Sequence, residues 1–355
     1  MEHKGRALLV GINKYDHKNR LTCCRHDAEA MAEALSTNDD GGVNYDCEVL
    51  GGQDGSVDKP TLKDRLRNWL FAPDWTDDSL FYFAGHGAET LLDGRLITTD
   101  KTDDDALPMF EVLKIASLGK ARNTTIILDC CHAGHAGNVP ALGAATGAAL
   151  ATLPFGMSIL AAASQRESAD ESDALGHGLF TAALLAGLRG GAADLRGHVT
   201  PAGLFAYAQS FFSAGEQQPV FKAHVQSLEP IRKCKARVAD DLLRELKSLF
   251  PRDPKSGEPK PITLDPSWDV EAGRQQKPAV PLNPKNNEKF WKLRALEGAG
   301  LLKVEPFDAA SVGAPKGQDV KPTLFWAAYY SKRAALTPFG VAQWDLCMRG
   351  RFGRP

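Results

Sequence analysis

Phe81-Tyr82-Phe83-Ala84-Gly85-His86-Gly87 and Thr125-Ile126-Ile127-Leu128-Asp129-Cys130-Cys131-His132-Ala133-Gly134 are the two stretches on which the reading of this chain turns. Each opens as a short apolar run of aromatic or β-branched residues, the pattern of a strand buried on both faces. Each then runs directly into a polar tip next to glycine. In open α/β sheets, ligands bind at the carboxyl ends of the strands. A histidine on one tip and a cysteine on another therefore put a base and a thiol where chemistry is done. The thiolate is the reactive form of cysteine, and a neighbouring imidazole generates it. Taken singly, such a His reads as a loop residue and such a Cys as a small core hydrophobe. Together on strand tips they read as a dyad of His86 and Cys131.

Working outward, further strands are expected at Arg6 to Ile12, Tyr45 to Leu50, Ser158 to Ala163 and Pro219 to Val225, with the histidine strand at Ser79 to Ala84 and the cysteine strand at Asn123 to Cys130. Helical spacing recurs over Asp27 to Leu35, Leu62 to Phe71, Met109 to Leu118, Phe180 to Leu188 and Pro201 to Phe212. Strands alternating with helices predict an α/β domain with a mostly parallel six-stranded sheet and helices on both faces. This domain is expected to occupy residues 1–232. Composition then changes. A helix over Val238 to Phe250 precedes Pro251 to Pro284, which holds eight of the 21 prolines. That density predicts a semi-extended linker, residues 233–285 with the helix included. A small C-terminal α/β domain is expected over residues 286–355: a helix within Asn286 to Val304, a strand at Thr323 to Tyr330, and a further helix after Thr337-Pro338. Its order and the phrase Leu296-Glu297-Gly298-Ala299-Gly300-Leu301-Leu302 have the flavour of a winged-helix module.

The bulk properties narrow the function classes. Of 355 residues, 43% are hydrophobic and 24% charged, ordinary values for a globular chain with a sizeable core. A formal net charge of −2 gives no electrostatic case for wholesale nucleic-acid or anionic-membrane binding. No signal-peptide stretch and no run long enough to span a bilayer are evident. Seven cysteines, an odd number without metal-type spacing, argue against a disulfide framework and for a reducing compartment. A cytoplasmic protein is expected.

The two motifs resemble those of the caspase-like cysteine peptidases, and most closely the metacaspase and bacterial caspase-homologue branch. The family's Ser-Gly-His-Gly is matched by Ala84-Gly85-His86-Gly87, and its Asp-Ser-Cys-His-Ser-Gly by Asp129-Cys130-Cys131-His132-Ala133-Gly134. The register assigns the nucleophile to Cys131, and the 45-residue spacing from His86 is close to the roughly 50 of caspases. The resemblance covers roughly residues 5 to 230 and implies a cysteine endopeptidase. Cys131 would attack the scissile carbonyl, His86 would handle the leaving group's proton, and the backbone N–H groups of Cys131 and Gly87 would meet the oxyanion. In metacaspases the pocket for the residue before the cut is acidic and selects Arg or Lys. Leu21-Thr22-Cys23-Cys24-Arg25-His26-Asp27-Ala28 resembles the segment whose Asp lines that pocket, which implies Asp27 as one wall and Asp129 as the other. Asp27 equally fits a helix N-terminal residue favoured by the macrodipole. Ser168-Ala169-Asp170 resembles another family stretch and makes Asp170 a further pocket candidate.

Departures are confined to small residues: Ala84, Ala133 and Cys130 stand where the family has serine. Arg25, turned inward, would neutralise the acidic pocket. Asp103, Asp104 and Asp105 lack the alternating spacing of a cation-binding loop and read as a solvated acidic turn, with calcium the alternative and no cofactor expected. From His132 to Gln165 there is no Lys, Arg, Asp or Glu, so a single unprocessed chain is expected. Lys233, Lys235, Arg237 and the basic residues from Lys247 to Lys260 would instead offer sites for cleavage in trans. Expected partners are protein or peptide substrates with Arg or Lys at the cut, and a regulatory protein at the C-terminal domain, with nucleic acid and membrane disfavoured. The alternative is a caspase-fold scaffold that acts by binding.

Overall fold

The computed structural model describes residues 5–16, 18–51, 54–71, 78–89, 94–100, 106–130, 153–162, 171–172, 176–212 and 219–350. The chain divides into two compact units, Met1–Lys235 and Ala236–Pro355.

In chain order the first unit runs β1 (Gly5–Gly11), α1 (Cys24–Ser36), β2 (Tyr45–Leu50), α2 (Lys59–Arg65) with a π-helical turn (Leu66–Leu70), β3 (Asp78–Ala84), β4 (Gly87–Glu89), β5 (Gly94–Leu96), β6 (Leu107–Pro108), α3 (Met109–Leu118), β7 (Asn123–Asp129), β8 (Met157–Ala161), β9 (Glu171–Ser172), β10 (His177–Gly178), α4 (Leu179–Ala186) with a π-helical turn (Gly187–Gly191), β11 (His198–Val199), α5 (Pro201–Gln209), β12 (Val220–His224) and β13 (Arg232–Lys233). Six strands form the central sheet in the order β12-β8-β7-β3-β1-β2. All neighbours are parallel except the edge strand β12, which runs antiparallel to β8. The mostly parallel six-stranded sheet is therefore as expected.

Alternation along the strands divides the side chains between two faces. Leu8, Val10, Phe81, Phe83, Ile126 and Leu128 pack with Leu62 of α2 and Val112 of α3 on one side. Ala7, Leu9, Leu80, Tyr82 and Ile127 pack with Met31 of α1, Leu184 of α4 and Leu204 of α5 on the other. Because β3 is buried at all seven positions, it can only be a central strand. Each fully buried Phe or Leu contributes about 1.5–3 kcal/mol relative to exposure, which fixes the height at which its tip emerges.

The second unit comprises α6 (Asp240–Leu249), β14 (Ile262–Thr263), a 3₁₀ turn (Pro266–Trp268), α7 (Val270–Arg274), α8 (Pro284–Gly298), β15 (Leu302–Val304), α9 (Leu324–Tyr329), β16 (Arg333–Leu336) and α10 (Pro338–Met348). Its three strands pair antiparallel in the order β14-β16-β15, with helices between them in sequence. Here two expectations are corrected. Residues 251–284 are not a linker: Leu264, Trp268 and Ala272 are buried, and the Trp344 indole donates to the Phe250 carbonyl at 2.7 Å. The prolines mislead because Pro266 and Pro284 open helices, where a missing N–H costs nothing. Thr323 to Tyr330 is a capped helix, not a strand. The Thr323 hydroxyl accepts from the Trp326 N–H, and Leu324, Ala327 and Ala328 are buried at helical spacing.

Candidate active site

The registry of β3 against β7 pairs Ala84 with Asp129. Counting two residues on in sequence from that pair reaches His86 after β3 and Cys131 after β7. Cys131 lies outside the described residues, as do His132, Asp103, Asp104, Asp105 and Asp170.

His86 is held from three directions by the segment that follows β1. Its backbone N–H donates to the Tyr15 hydroxyl at 2.8 Å, and that hydroxyl donates onward to the Ile12 carbonyl at 3.1 Å. The Tyr15 ring lies against the imidazole, centroids 4.6 Å apart and tilted by 55°. The imidazole Nε2 meets the Asn19 carbonyl at 2.8 Å. A carbonyl only accepts, so Nε2 carries hydrogen and the neutral ring keeps its lone pair on Nδ1. A Cβ at position 85 would sit 2.5 Å from the Tyr15 oxygen, so glycine there is a condition of this cradle.

Beyond His86 the chain enters a small antiparallel sheet, β4-β5-β6. Ile97 N–H donates to the His86 carbonyl at 3.0 Å, which makes the next pair, Gly87 with Leu96, a non-hydrogen-bonded one. The Gly87 N–H is thus turned away from β5, on the strand that carries His86.

On the other face of the sheet, two carboxylates converge. Asp27, 2% exposed on the first turns of α1, accepts from the His177 Nδ1–H at 2.6 Å and from the Gly178 N–H at 3.3 Å. Asp129 accepts from the Thr181 hydroxyl at 2.5 Å, and Thr181 in turn accepts from the Tyr82 hydroxyl at 2.6 Å. Gly178 lies between the two acids: a Cβ there would be 3.1 Å from Asp129 Oδ2 and 3.5 Å from Asp27 Oδ2. Burial pushes the Asp129 carboxyl above its ordinary value, only partly offset by the Thr181 bonds. Burial, then the Asp129 and Asp27 charges, raise the Tyr82 phenol far enough that it stays a donor. His177 is pushed down by burial and by Arg189, so it serves Asp27 as a neutral donor, and its ring stacks on His26 at 4.6 Å and 4°. Every donor named here to either carboxylate is neutral, so these bonds orient the acids without bringing a positive charge to them. Arg25 directs its guanidinium to Glu29 at 2.9 Å, one turn along α1.

The sequence reading named His86, Gly87, Asp27 and Asp129 but missed Tyr15, Asn19, His177, Gly178 and Thr181. One signal was available: Gly176-His177-Gly178 repeats the glycine-flanked histidine of Gly85-His86-Gly87. Asp100, beside the acidic run, accepts from the Lys59 N–H and the Thr98 hydroxyl, which makes it a brace for the start of α2. Among the described residues no group of three His, Cys, Asp or Glu could hold a metal ion, and no helix is long and apolar enough to cross a membrane.

Comparison with known proteins bears on these motifs. Over 154 residues, 39% of this chain, it is 31% identical to Metacaspase-1A of Aspergillus niger and 32% identical to Metacaspase-1 of Emericella nidulans. The chain spans 37% of the length of each of these relatives. A solved structure, Caspase-1 from Spodoptera frugiperda, aligns with 65% of this chain and 91% of its own at a TM-score of 0.45 and 14% identity. The family model described as the caspase domain matches residues 4–228. With most of its length under that match, this chain belongs to the caspase domain family.

Proposed function

We propose that this chain is a cysteine endopeptidase that cuts polypeptides on the carboxyl side of Arg or Lys, with Cys131 as nucleophile and His86 as base. The observation that carries the reading is the convergence of Asp27 and Asp129 on Gly178, beside the paired tips of β3 and β7. Two carboxylates oriented by the neutral donors His177, Gly178 and Thr181 hold a buried negative charge that a guanidinium or ammonium would complement through charge-assisted hydrogen bonds. Membership of the caspase domain family supports the peptidase chemistry.

In this reading His86 Nδ1, the nitrogen that keeps its lone pair, takes the Cys131 proton. The thiolate adds to the scissile carbonyl carbon, and the oxygen turns anionic toward the backbone N–H groups of Gly87 and Cys131. Collapse expels the amine, which collects the proton from His86. Water, deprotonated by the same imidazole, then hydrolyses the thioester and regenerates the thiol. The Asn19 carbonyl keeps the ring in one tautomer throughout. The chemistry needs no bound cofactor. Asp170 is proposed as an additional pocket residue. The second unit is proposed as a regulatory or protein-interaction module on an unprocessed single chain. Free thiols at Cys47, Cys234 and Cys347 support a reducing, cytoplasmic setting.

Purified protein assayed on fluorogenic peptides ending in Arg, Lys or Asp tests the reading. Release after Arg or Lys, lost in Cys131→Ala and His86→Ala, is expected. Release only after Asp would overturn the pocket, and release after none, with or without calcium, would overturn the enzyme.

A further inference from the structure

His177 lies 150 residues from Asp27 in sequence, yet meets it at 2.6 Å, and its side chain is 17% exposed. It occupies β10, which pairs with β9 so that His177 faces Ser172 and Gly178 faces Glu171 in register. The hairpin delivers both donors to one carboxylate, imidazole Nδ1–H to Oδ1 and Gly178 N–H to Oδ2. Asp27 is therefore fixed in direction, with Oδ2 beside the same point in space as Asp129 Oδ2.

We infer that His177 is a specificity-determining positioning residue: neutral, it aims Asp27 at the substrate's cation, and protonated, it becomes that cation's competitor. The inference rests on the Arg/Lys reading above. A neutral imidazole adds no positive charge at Asp27, and a cation arriving from outside supplies it. An imidazolium at 2.6 Å forms an internal ion pair with Asp27, and the substrate's guanidinium then finds half of its complement already neutralised. Proton and substrate thus bind antagonistically, and by linkage each weakens the other equally. Charged or titratable groups against His177 are His26 and Asp27 of α1 and Arg189 in the turn after α4, with Asp129 of β7 beside the neighbouring Gly178. Burial and Arg189 both favour the neutral ring, so the binding-competent form prevails near neutrality.

The test is the affinity of full-length Cys131→Ala protein for an Arg-terminated peptide, measured calorimetrically from about pH 8 to about pH 5, a window in which an imidazole titrates and ordinary carboxylates scarcely do. The dissociation constant should rise toward tenfold per pH unit below the His177 titration, the limit for one competing proton. In the Cys131→Ala, His177→Gln double variant, glutamine keeps a neutral N–H donor that does not titrate in this window, and the acid limb should flatten whatever the affinity at pH 8. An unchanged acid limb in the His177→Gln background overturns the inference, as does its disappearance in His26→Gln instead. If unsubstituted protein cleaves peptides after Arg yet binding shows no acid limb at all, only this inference fails. If no Arg or Lys peptide is bound or cleaved at any pH, the endopeptidase reading fails and takes the inference with it.

Discussion

Substitution of Gly178 by alanine separates the proposed pocket from the fold that carries it. The backbone there has φ −57° and ψ 141°, open to any L-residue. Gly→Ala at a compatible site stabilises by about 0.4–1 kcal/mol through the unfolded state. Against this, the new methyl lies 3.1 Å from Asp129 Oδ2, a tight contact that small side-chain adjustments relieve. Stability should therefore change little. Recognition should not escape, because in the proposed pocket the methyl occupies the gap through which the substrate's cation would reach both acids. Losing one charge-assisted hydrogen bond, about 1.5–3 kcal/mol, lowers kcat/KM for an Arg peptide by roughly 10- to 150-fold. Steady-state hydrolysis and thermal melting on the same preparation check both halves. If kcat/KM stays within about twofold of the parent while the melting temperature is unchanged, the converging carboxylates do not bind the substrate's cation.

Three further outcomes are expected. Tyr15→Phe removes the acceptor for the His86 N–H and should lower kcat about tenfold, the effect of roughly 1–1.5 kcal/mol, with KM unchanged in steady-state kinetics. Asp129→Asn should raise the melting temperature near neutral pH. Burial raises the folded-state value of this carboxyl above its unfolded one, so the folded protein binds that proton more tightly. Stability is then lost as pH climbs from the ordinary Asp range, about 3.9, through the raised value. Melting curves of parent and variant should converge in acid and separate toward neutrality. Trp344→Phe strands the Phe250 carbonyl in the second unit and should cost that unit about 2–4 kcal/mol, read by chemical denaturation.

How far the chain could be read in advance follows from the range of the interactions. Strands such as Leu80 to Phe83 and Ile126 to Leu128 are apolar at every position and declare themselves as central parallel strands. Met109 to Leu118 ran to the expected ends because its burial follows helical spacing. The two strand-tip motifs were equally local. By contrast, the partners that orient Asp27 sit on a hairpin of two-residue strands, too short for any periodicity to reveal. Tyr15 and Asn19 act on His86 from 71 and 67 residues away, and nothing local to them announces it. Leu324 to Tyr329 read as a strand because aromatic residues favour strands. The Thr323 cap and the depth of Ala327 and Ala328 decided otherwise.

Lys233 and Lys235 present exposed side chains at the end of the first unit, where a basic-specific peptidase would be expected to attack another copy of itself. Their main chain is already engaged. Lys233 N–H binds Asn38 Oδ1 at 2.8 Å and its carbonyl receives the Asp39 N–H at 3.0 Å, while Lys235 N–H binds Asp39 Oδ2 at 2.9 Å. Cys234 N–H, between them, binds the Gly197 carbonyl at 2.7 Å. A protease must draw a substrate out as a bare extended strand, and here that means first stripping four backbone bonds from a stapled edge. Were the proposed activity turned on another copy, attack at these two lysines would be restrained by the cost of peeling for as long as Asn38 and Asp39 keep hold of them.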